Sequence, residues 1–225
     1  MGIYRVKPWF RGRLRGLARE LGRRGASPDQ VTSAGLAASV AGGLALASGR
    51  VTRRAYLLVP VLAFVRIAAN ALDGLVAEET GTGRPAGELY NETADRLGDI
   101  AFFAGAATVP GVPAALAFGA LAAAELASFV GITAKAAGGR RRFDGPMGKP
   151  DRMVALGVAG MVAGRRWCRR PSVPVTTALV AVAGGALVTA ANRYRWAHQE
   201  LEAGVGAIMA GPIGRPEPVA PQPAR

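Results

Sequence analysis

Apolar and polar residues fall along this chain in long blocks rather than in short alternation. Val31 to Gly49, Ile100 to Ala124 and Pro171 to Asn192 each pass without a charge. Runs of about 20 apolar residues match the hydrocarbon thickness of a bilayer, where helices and closed barrels alone satisfy their own backbone. The blocks predict an all-α fold, a bundle of six transmembrane helices at about 31–48, 55–77, 88–109, 114–136, 151–165 and 173–192. The fifth is the shortest, because only Met153 to Gly164 is free of charge. Ahead of them, over residues 4–24, Trp9, Phe10, Leu14, Leu17 and Leu21 recur at three- and four-residue steps, with Arg11, Arg15, Arg19, Arg23 and Arg24 on much of the remaining surface. That pattern predicts an amphipathic helix lying in the headgroup layer; a helix packed on a soluble domain is the alternative.

Turn chemistry divides the blocks. Ser27 is a candidate N-cap with Pro28 in the first helical turn, and Pro110-Gly111-Val112-Pro113 is a tight turn. The chain therefore reads as an amphipathic juxtamembrane helix over 1–26, a membrane domain over 27–200 and a Pro-rich disordered tail over 201–225.

Half of the 225 residues are hydrophobic and the formal net charge is +13. So basic a chain suggests nucleic acid, but here the cations are segregated between apolar runs, which excludes that partner and puts the arginines beside anionic membrane lipids. The first 25 residues hold no signal-peptide core, so the N terminus is expected in the cytoplasm and, after six spans, the C terminus too. This orientation leaves nineteen Arg or Lys inside and seven outside, as the positive-inside rule requires. It also sets the 78–88 and 138–151 loops on one cytoplasmic side. The expected location is the cell's inner membrane, multi-pass. Cys168 is the single cysteine and His198 the single histidine, so no intrachain disulfide forms and a metal site depends on carboxylates.

The chemistry-bearing residues interrupt the second and third spans. Asn70, Asp73 and Ala77 share one helical face, and Asn91, Asp95 and Asp99 share another at four-residue steps. Ionisable groups at membrane depth are costly and mark functional sites. Two antiparallel helices joined by a short loop bring the faces together near the cytoplasmic lip. The result is an all-oxygen pocket suited to Mg²⁺ or Mn²⁺, ions able to bridge the phosphates of an activated substrate. Gly74 and Gly87 would let a bulky substrate approach the backbone. Intramembrane ion pairing, such as Asp95 with Arg66, is the competing explanation.

These residues resemble the signature of the CDP-alcohol phosphatidyltransferase family: Asp-x-x-Asp-Gly-x-x-Ala-Arg, eight residues, then Gly-x-x-x-Asp-x-x-x-Asp. Asn70 and Asp73 fall on the first two acidic positions, Gly74 and Ala77 on the small ones, Glu78 on the arginine, Gly87 on the second glycine, and Asn91 and Asp95 on the last two acids. The spacing is preserved throughout. The resemblance extends over nearly the whole chain, from the basic N-terminal helix and Ser27-Pro28-Asp29-Gln30-Val31-Thr32 through six spans. The Asn-Ala-Leu-Asp-Gly and Asn-Glu-Thr-Ala-Asp strings, with Gly145-Pro146-Met147-Gly148-Lys149-Pro150-Asp151-Arg152, resemble a divergent bacterial branch that carries the same asparagines.

The resemblance implies a cytoplasm-facing enzyme that moves a phosphatidyl group from a CDP-linked lipid to an alcohol acceptor and releases CMP. In the family four acids hold two metal ions, and the last acid also serves as base. By position, Asp73 is then a metal ligand, Asp95 a ligand and base, and Asn70 and Asn91 neutral ligands. Asp99, one turn deeper on the same face, is the expected replacement charge, with Glu92 and Glu88 as further candidates. A fold of this family that binds CDP-lipid without turnover, or acts as a scaffold, stays open, as do the acceptor's identity and a homodimer.

Lys149 and Arg152 are expected at the mouth of the site, where a cation neutralises a pyrophosphate or a phosphorylated acceptor. Arg140, Arg141 and Arg142 are explained by topology. Glu125 is expected to pair with Arg66 or Arg96, and Arg66, one turn before Asn70, is itself a candidate phosphate contact. Gly81-Thr82-Gly83 lacks the Lys-Ser/Thr of a nucleotide loop, and Gly42-Gly43 and Gly160-x-x-x-Gly164 read as close helix packing.

Overall fold

The computed structural model describes residues 7–210, with side chains over 10–204. Among the described residues the fold is all helical: α1 (Lys7–Arg23), α2 (Pro28–Ser48), a 3₁₀ turn (Arg53–Leu58), α3 (Val59–Thr80), α4 (Pro85–Ala107), α5 (Ala114–Ala136), α6 (Lys149–Gly164) and α7 (Ser172–Ala210). α2 opens on the predicted cap. The Ser27 hydroxyl accepts the Gln30 N–H at 3.2 Å, and the Gln30 side chain accepts the Ser27 N–H at 2.9 Å, so two orphan donors are satisfied reciprocally. The predicted second span divides in two. The 3₁₀ turn precedes α3, and Pro60 sits in the first turn of α3, where its missing N–H costs nothing.

The core lies where α2, α3, α4, α5, α6 and α7 meet, built from Leu46, Tyr56, Val59, Phe102, Phe103, Leu156 and Leu179, with small residues such as Ala63, Ala117 and Ala163 between them. Small residues let backbones approach. A Cβ on Gly43 would lie 2.1 Å from the Ala101 carbonyl oxygen, and one on Gly105 would lie 2.2 Å from that of Gly43. α2 and α4 thus touch backbone to backbone, which fixes the height of α4's acids against α2. α1 joins through a second cluster, in which Ala18, Leu14 and Leu21 pack on Val31, Ala69, Leu72, Leu75 and Val76, while Phe10 meets Phe64 edge-on at 6.2 Å. Leu17, expected on the same stripe, is exposed instead. The Trp9 side chain and residues 4–6 lie outside the described residues.

Among the described residues four helical stretches are long and apolar enough to cross a membrane: α2, the 3₁₀ turn with α3, α5, and α7 as far as Gly204. Six were expected. α6 has only 16 residues, and the first half of α4 carries Glu88, Glu92, Asp95, Arg96 and Asp99, so neither qualifies by length and composition. Leu44, Val61, Phe64, Phe118, Phe129, Val180 and Leu187 stand exposed on the outer faces of the four, a surface made for lipid rather than water. α7 continues well beyond its apolar run, at about 58 Å for 1.5 Å per residue. It remains helical through Ala210, into the stretch expected to be disordered; the tail from 211 lies outside the described residues. The polar end of α7 holds the α5–α6 loop: Glu200 takes Arg140 at 3.0 Å and Arg142 at 2.6 Å, and the Arg193 guanidinium donates to the carbonyls of Ala127, Phe143 and Asp144.

Candidate functional site

α3 and α4 run antiparallel, joined by a short loop in which Gly81 adopts φ 65° and closes α3. The four-residue steps of α4 and the Asn70–Asp73 step of α3 therefore face each other. The Asn70 amide donates to Asp95 Oδ1 at 2.6 Å, and the Asn91 amide donates to Asp73 Oδ2. Asp73 Oδ1 accepts the Gly74 N–H at 2.6 Å, and its Oδ2 also accepts the Thr32 hydroxyl at 3.1 Å. Lys149, the first residue of α6, ion-pairs Asp95 Oδ2 and lies 3.5 Å from Glu92. The four expected positions on α3 and α4 thus form one cluster, with α2 contributing Thr32 and α6 contributing Lys149.

This cluster forms one wall of a cavity of about 1170 Å³ reaching from α1 to α6. Phe10, Phe64, Ile67, Met153 and Val154 supply its apolar surface, and Asp29, Arg84, Glu88, Glu92 and Arg141 its polar rim. Gly74, Ala77 and Gly87 also line it, and a Cβ on Gly74 would meet nothing within 4 Å. A Cβ on Gly87, by contrast, would lie 3.4 Å from the Arg84 side chain and 3.5 Å from Asp29.

Asp99 is set apart. It is 1% exposed; its Oδ1 meets Arg66 at 2.6 Å and its Oδ2 meets Arg152 at 2.8 Å. Arg152, expected at the mouth, is corrected to the interior: it is 1% exposed and also donates to Ser128 at 3.2 Å. α6 starts at Lys149, so Arg152 falls almost one turn inside the bundle while Lys149 stays at the rim. Arg66 crosses to Asp99 past Gly98, where a Cβ would lie 3.1 Å from the guanidinium. It also donates to the Asp95 carbonyl at 3.0 Å and stacks over Phe102 at 6.0 Å. Of the two partners offered for Glu125, Arg96 has it at 2.7 Å. Glu78, on the family's arginine position, pairs with Arg11 of α1 at 2.5 Å.

Sequence reasoning passed over three contributors. Thr32 is one of four hydroxyl residues in α2, with Ser33, Ser39 and Ser48, so the sequence alone did not single it out. Arg141, attributed to topology, ion-pairs Glu92 and stacks on Phe143 at 4.6 Å. Arg84 reaches Asp29 across the cavity rim, a contact that only the fold creates.

The donor set bears directly on metal binding. Among the described residues no three Asp, Glu, His or Cys side chains converge as a ligand group. Two carboxylates and two amides are all hard oxygen donors once each amide turns its oxygen inward, and they suit one divalent cation. Two such ions would exceed the negative charge of Asp73 and Asp95, and uncompensated charge in a low-dielectric site is strongly unfavourable.

No protein-family model matches the chain. It is similar to the inner membrane protein YnbA of Escherichia coli, with 34% identity over 161 residues covering 72% of this chain and 80% of that one. A stretch of 83 residues, 37% of this chain and 36% of the relative, is 45% identical to the phosphatidylinositol phosphate synthase of Mycolicibacterium smegmatis. Among solved structures, the Mycobacterium tuberculosis phosphatidylinositol phosphate synthase with CDP-DAG bound superposes with a TM-score of 0.67 at 24% identity, covering 89% of this chain and 96% of that one. The same enzyme in complex with manganese and citrate gives a TM-score of 0.66 at 25% identity, covering 89% and 91%. With Asn70, Asp73, Gly74, Ala77, Gly87, Asn91 and Asp95 at the spacing of the family's signature and YnbA 34% identical over 80% of its length, this chain belongs to the CDP-alcohol phosphatidyltransferase family.

Proposed function

We propose that this protein transfers a phosphatidyl group from a CDP-linked lipid to an alcohol acceptor and releases CMP. The observation that carries this reading is the convergence of Asp73 and Asp95 on the wall of a cavity large enough for a nucleotide headgroup. The lipid's acyl chains would leave along the apolar lining of the cavity formed by Phe64 and Ile67 of α3 and Met153 and Val154 of α6. Asp95 accepts the proton of the acceptor hydroxyl as its oxygen attacks the phosphorus of the phosphatidyl group. The bond from that phosphorus to the CMP oxygen breaks, and CMP leaves with the electron pair. Asp73, with Asn70 and Asn91 once their amide oxygens turn inward, would hold one Mg²⁺ or Mn²⁺. Such an ion, when bound, neutralises charge on the pyrophosphate. Gly74, Ala77 and Gly87 leave space for the nucleotide, and Lys149 adds positive charge beside it. Similarity to an enzyme solved with CDP-DAG and with manganese supports the lipid and the metal class.

The setting proposed is the inner membrane, with six spans if α4 and α6 complete the bundle, α1 in the headgroup layer against anionic lipids, and the cavity open to the cytoplasm. Similarity to an inner membrane protein supports this. In a Cys168→Ser background, an impermeant thiol reagent applied from outside should label Gly111→Cys and Ser172→Cys and miss Gly83→Cys and Gly145→Cys. The reverse pattern sinks the orientation.

For the reaction, CMP release from CDP-diacylglycerol is measured across a panel of alcohols. Asp73→Ala and Asp95→Ala should each abolish release while the protein keeps its helicity and elution volume; wild-type turnover in either refutes the assignment. Neutral residues at Asn70 and Asn91 favour one competing reading, a binding protein without turnover. It predicts saturable CDP-lipid binding and no CMP release with any alcohol.

A further inference from the structure

The two carboxylates of the site have unlike partners. Asp73 meets neutral donors: the Gly74 N–H, the Thr32 hydroxyl and the Asn91 amide. Among the described residues no ion pair involves it. Asp95 meets the Asn70 amide on one oxygen and the Lys149 ammonium on the other, with an Arg66 nitrogen at 3.9 Å. The same ammonium lies 3.5 Å from Glu92 and so bridges two carboxylates from the first turn of α6. Its side chain is only 21% exposed, so solvent does little to weaken the contact. Lys149 is held there by backbone: the Asp151 carboxylate accepts the Gly148 N–H at 2.9 Å, and Met147 N–H donates to Thr189 at 3.0 Å, fixing the residues just before α6.

From this asymmetry we infer that the Lys149 ammonium stands where a second divalent cation would otherwise sit, leaving the Asp73 end alone for a metal ion. The inference rests on the reading of Asp73 as a metal ligand proposed above. Glu92 is already shared with Arg141 and Arg96, so Asp73 and Asp95 alone are left to offset Lys149 and whatever divalent cation binds. Two divalent cations beside Lys149 would leave excess positive charge in a half-dry cleft. The asparagines and the lysine are then a matched set: Asn70 and Asn91 remove the charge that a second ion needs, and Lys149 supplies a fixed cation in its stead.

The test is Mn²⁺ binding to the full-length protein in detergent, read by electron paramagnetic resonance as stoichiometry and affinity. Wild type should bind one Mn²⁺ per chain. Lys149→Met should tighten that binding by roughly tenfold or more, the scale on which a neighbouring like charge acts. Asn70→Asp with Asn91→Asp should still bind one ion while Lys149 remains, and two when Lys149→Met is added. Equal Mn²⁺ affinity in wild type and Lys149→Met overturns the inference, as does a second ion in the Asp variant that keeps Lys149. If Lys149 merely staples α6 to α4, Lys149→Met loses thermal stability without tightening Mn²⁺, which also overturns it. CMP release is scored separately. Its absence alongside tightened Mn²⁺ removes the transferase reading and leaves this one standing, whereas turnover with unaltered Mn²⁺ affinity removes this one alone.

Discussion

Asp95 and Asp99 stand four residues apart on one face of α4, yet one looks into the cavity while Arg66 and Arg152 close over the other. Periodicity makes the two equivalent; their neighbours do not. Asp95 lies level with the start of α6, where Lys149 reaches it from the rim and Asn70 reaches it from α3. Asp99 lies one turn deeper, where α3 and α6 each bring a guanidinium and no open space is left. Two cations around one buried carboxylate hold α3, α4 and α6 together through a single charge. The shallower acid is held by an amide and one ammonium, and it keeps a face towards the cavity. Depth along a helix thus separates an acid that can act on a ligand from one that organises the bundle.

The largest expected effect breaks the deep side of this comparison. Asp99→Ala leaves two buried guanidinium groups without their carboxylate and should cost about 3–5 kcal/mol of stability, seen as a lower thermal midpoint in detergent or as failure to accumulate. Adding Arg152→Met should recover part of that loss. If Asp99→Ala instead keeps wild-type stability and lowers Mn²⁺ affinity, the deep acid belongs to the metal site and the division by depth is wrong. A smaller effect sharpens the comparison at intermediate depth. Arg96 and Glu125 pair at 2.7 Å while remaining 23% and 27% exposed, so Glu125→Gln should cost only about 1 kcal/mol and leave CMP release near wild type. The smallest is expected at the rim, where Arg11 and Glu78 are 31% and 57% exposed. Arg11→Ala should shift stability by less than about 1 kcal/mol; a large drop in CMP release with no stability change would instead make Arg11 a ligand contact.

How much of this was legible beforehand differs between fold and site. The helices of the bundle could be read from uncharged runs, Ser27, Pro28 and the Pro110–Pro113 turn, because backbone desolvation and capping act locally. α5 begins and ends as read. α7 was read short, since an apolar run measures the hydrocarbon layer and not the length of the helix that continues out of it. The number of spans is only partly legible: α4 reads as a span from its apolar second half, while its first half carries the site and keeps it from meeting the criterion of length and composition.

By itself the sequence determined the all-helical fold, the spacing of Asn70, Asp73, Asn91 and Asp95, and the family to which that spacing belongs. It could do so because the helical period converts spacing along the chain directly into a shared face. Only the tertiary structure decided which charges meet. Lys149 and Arg152 are three residues apart and of one sign, yet α6 starts between rim and core and sends one to Asp95 and the other to Asp99. Pairing across helices depends on axial register, which close contacts such as Gly43 against Gly105 set. No local pattern along a single helix encodes that register.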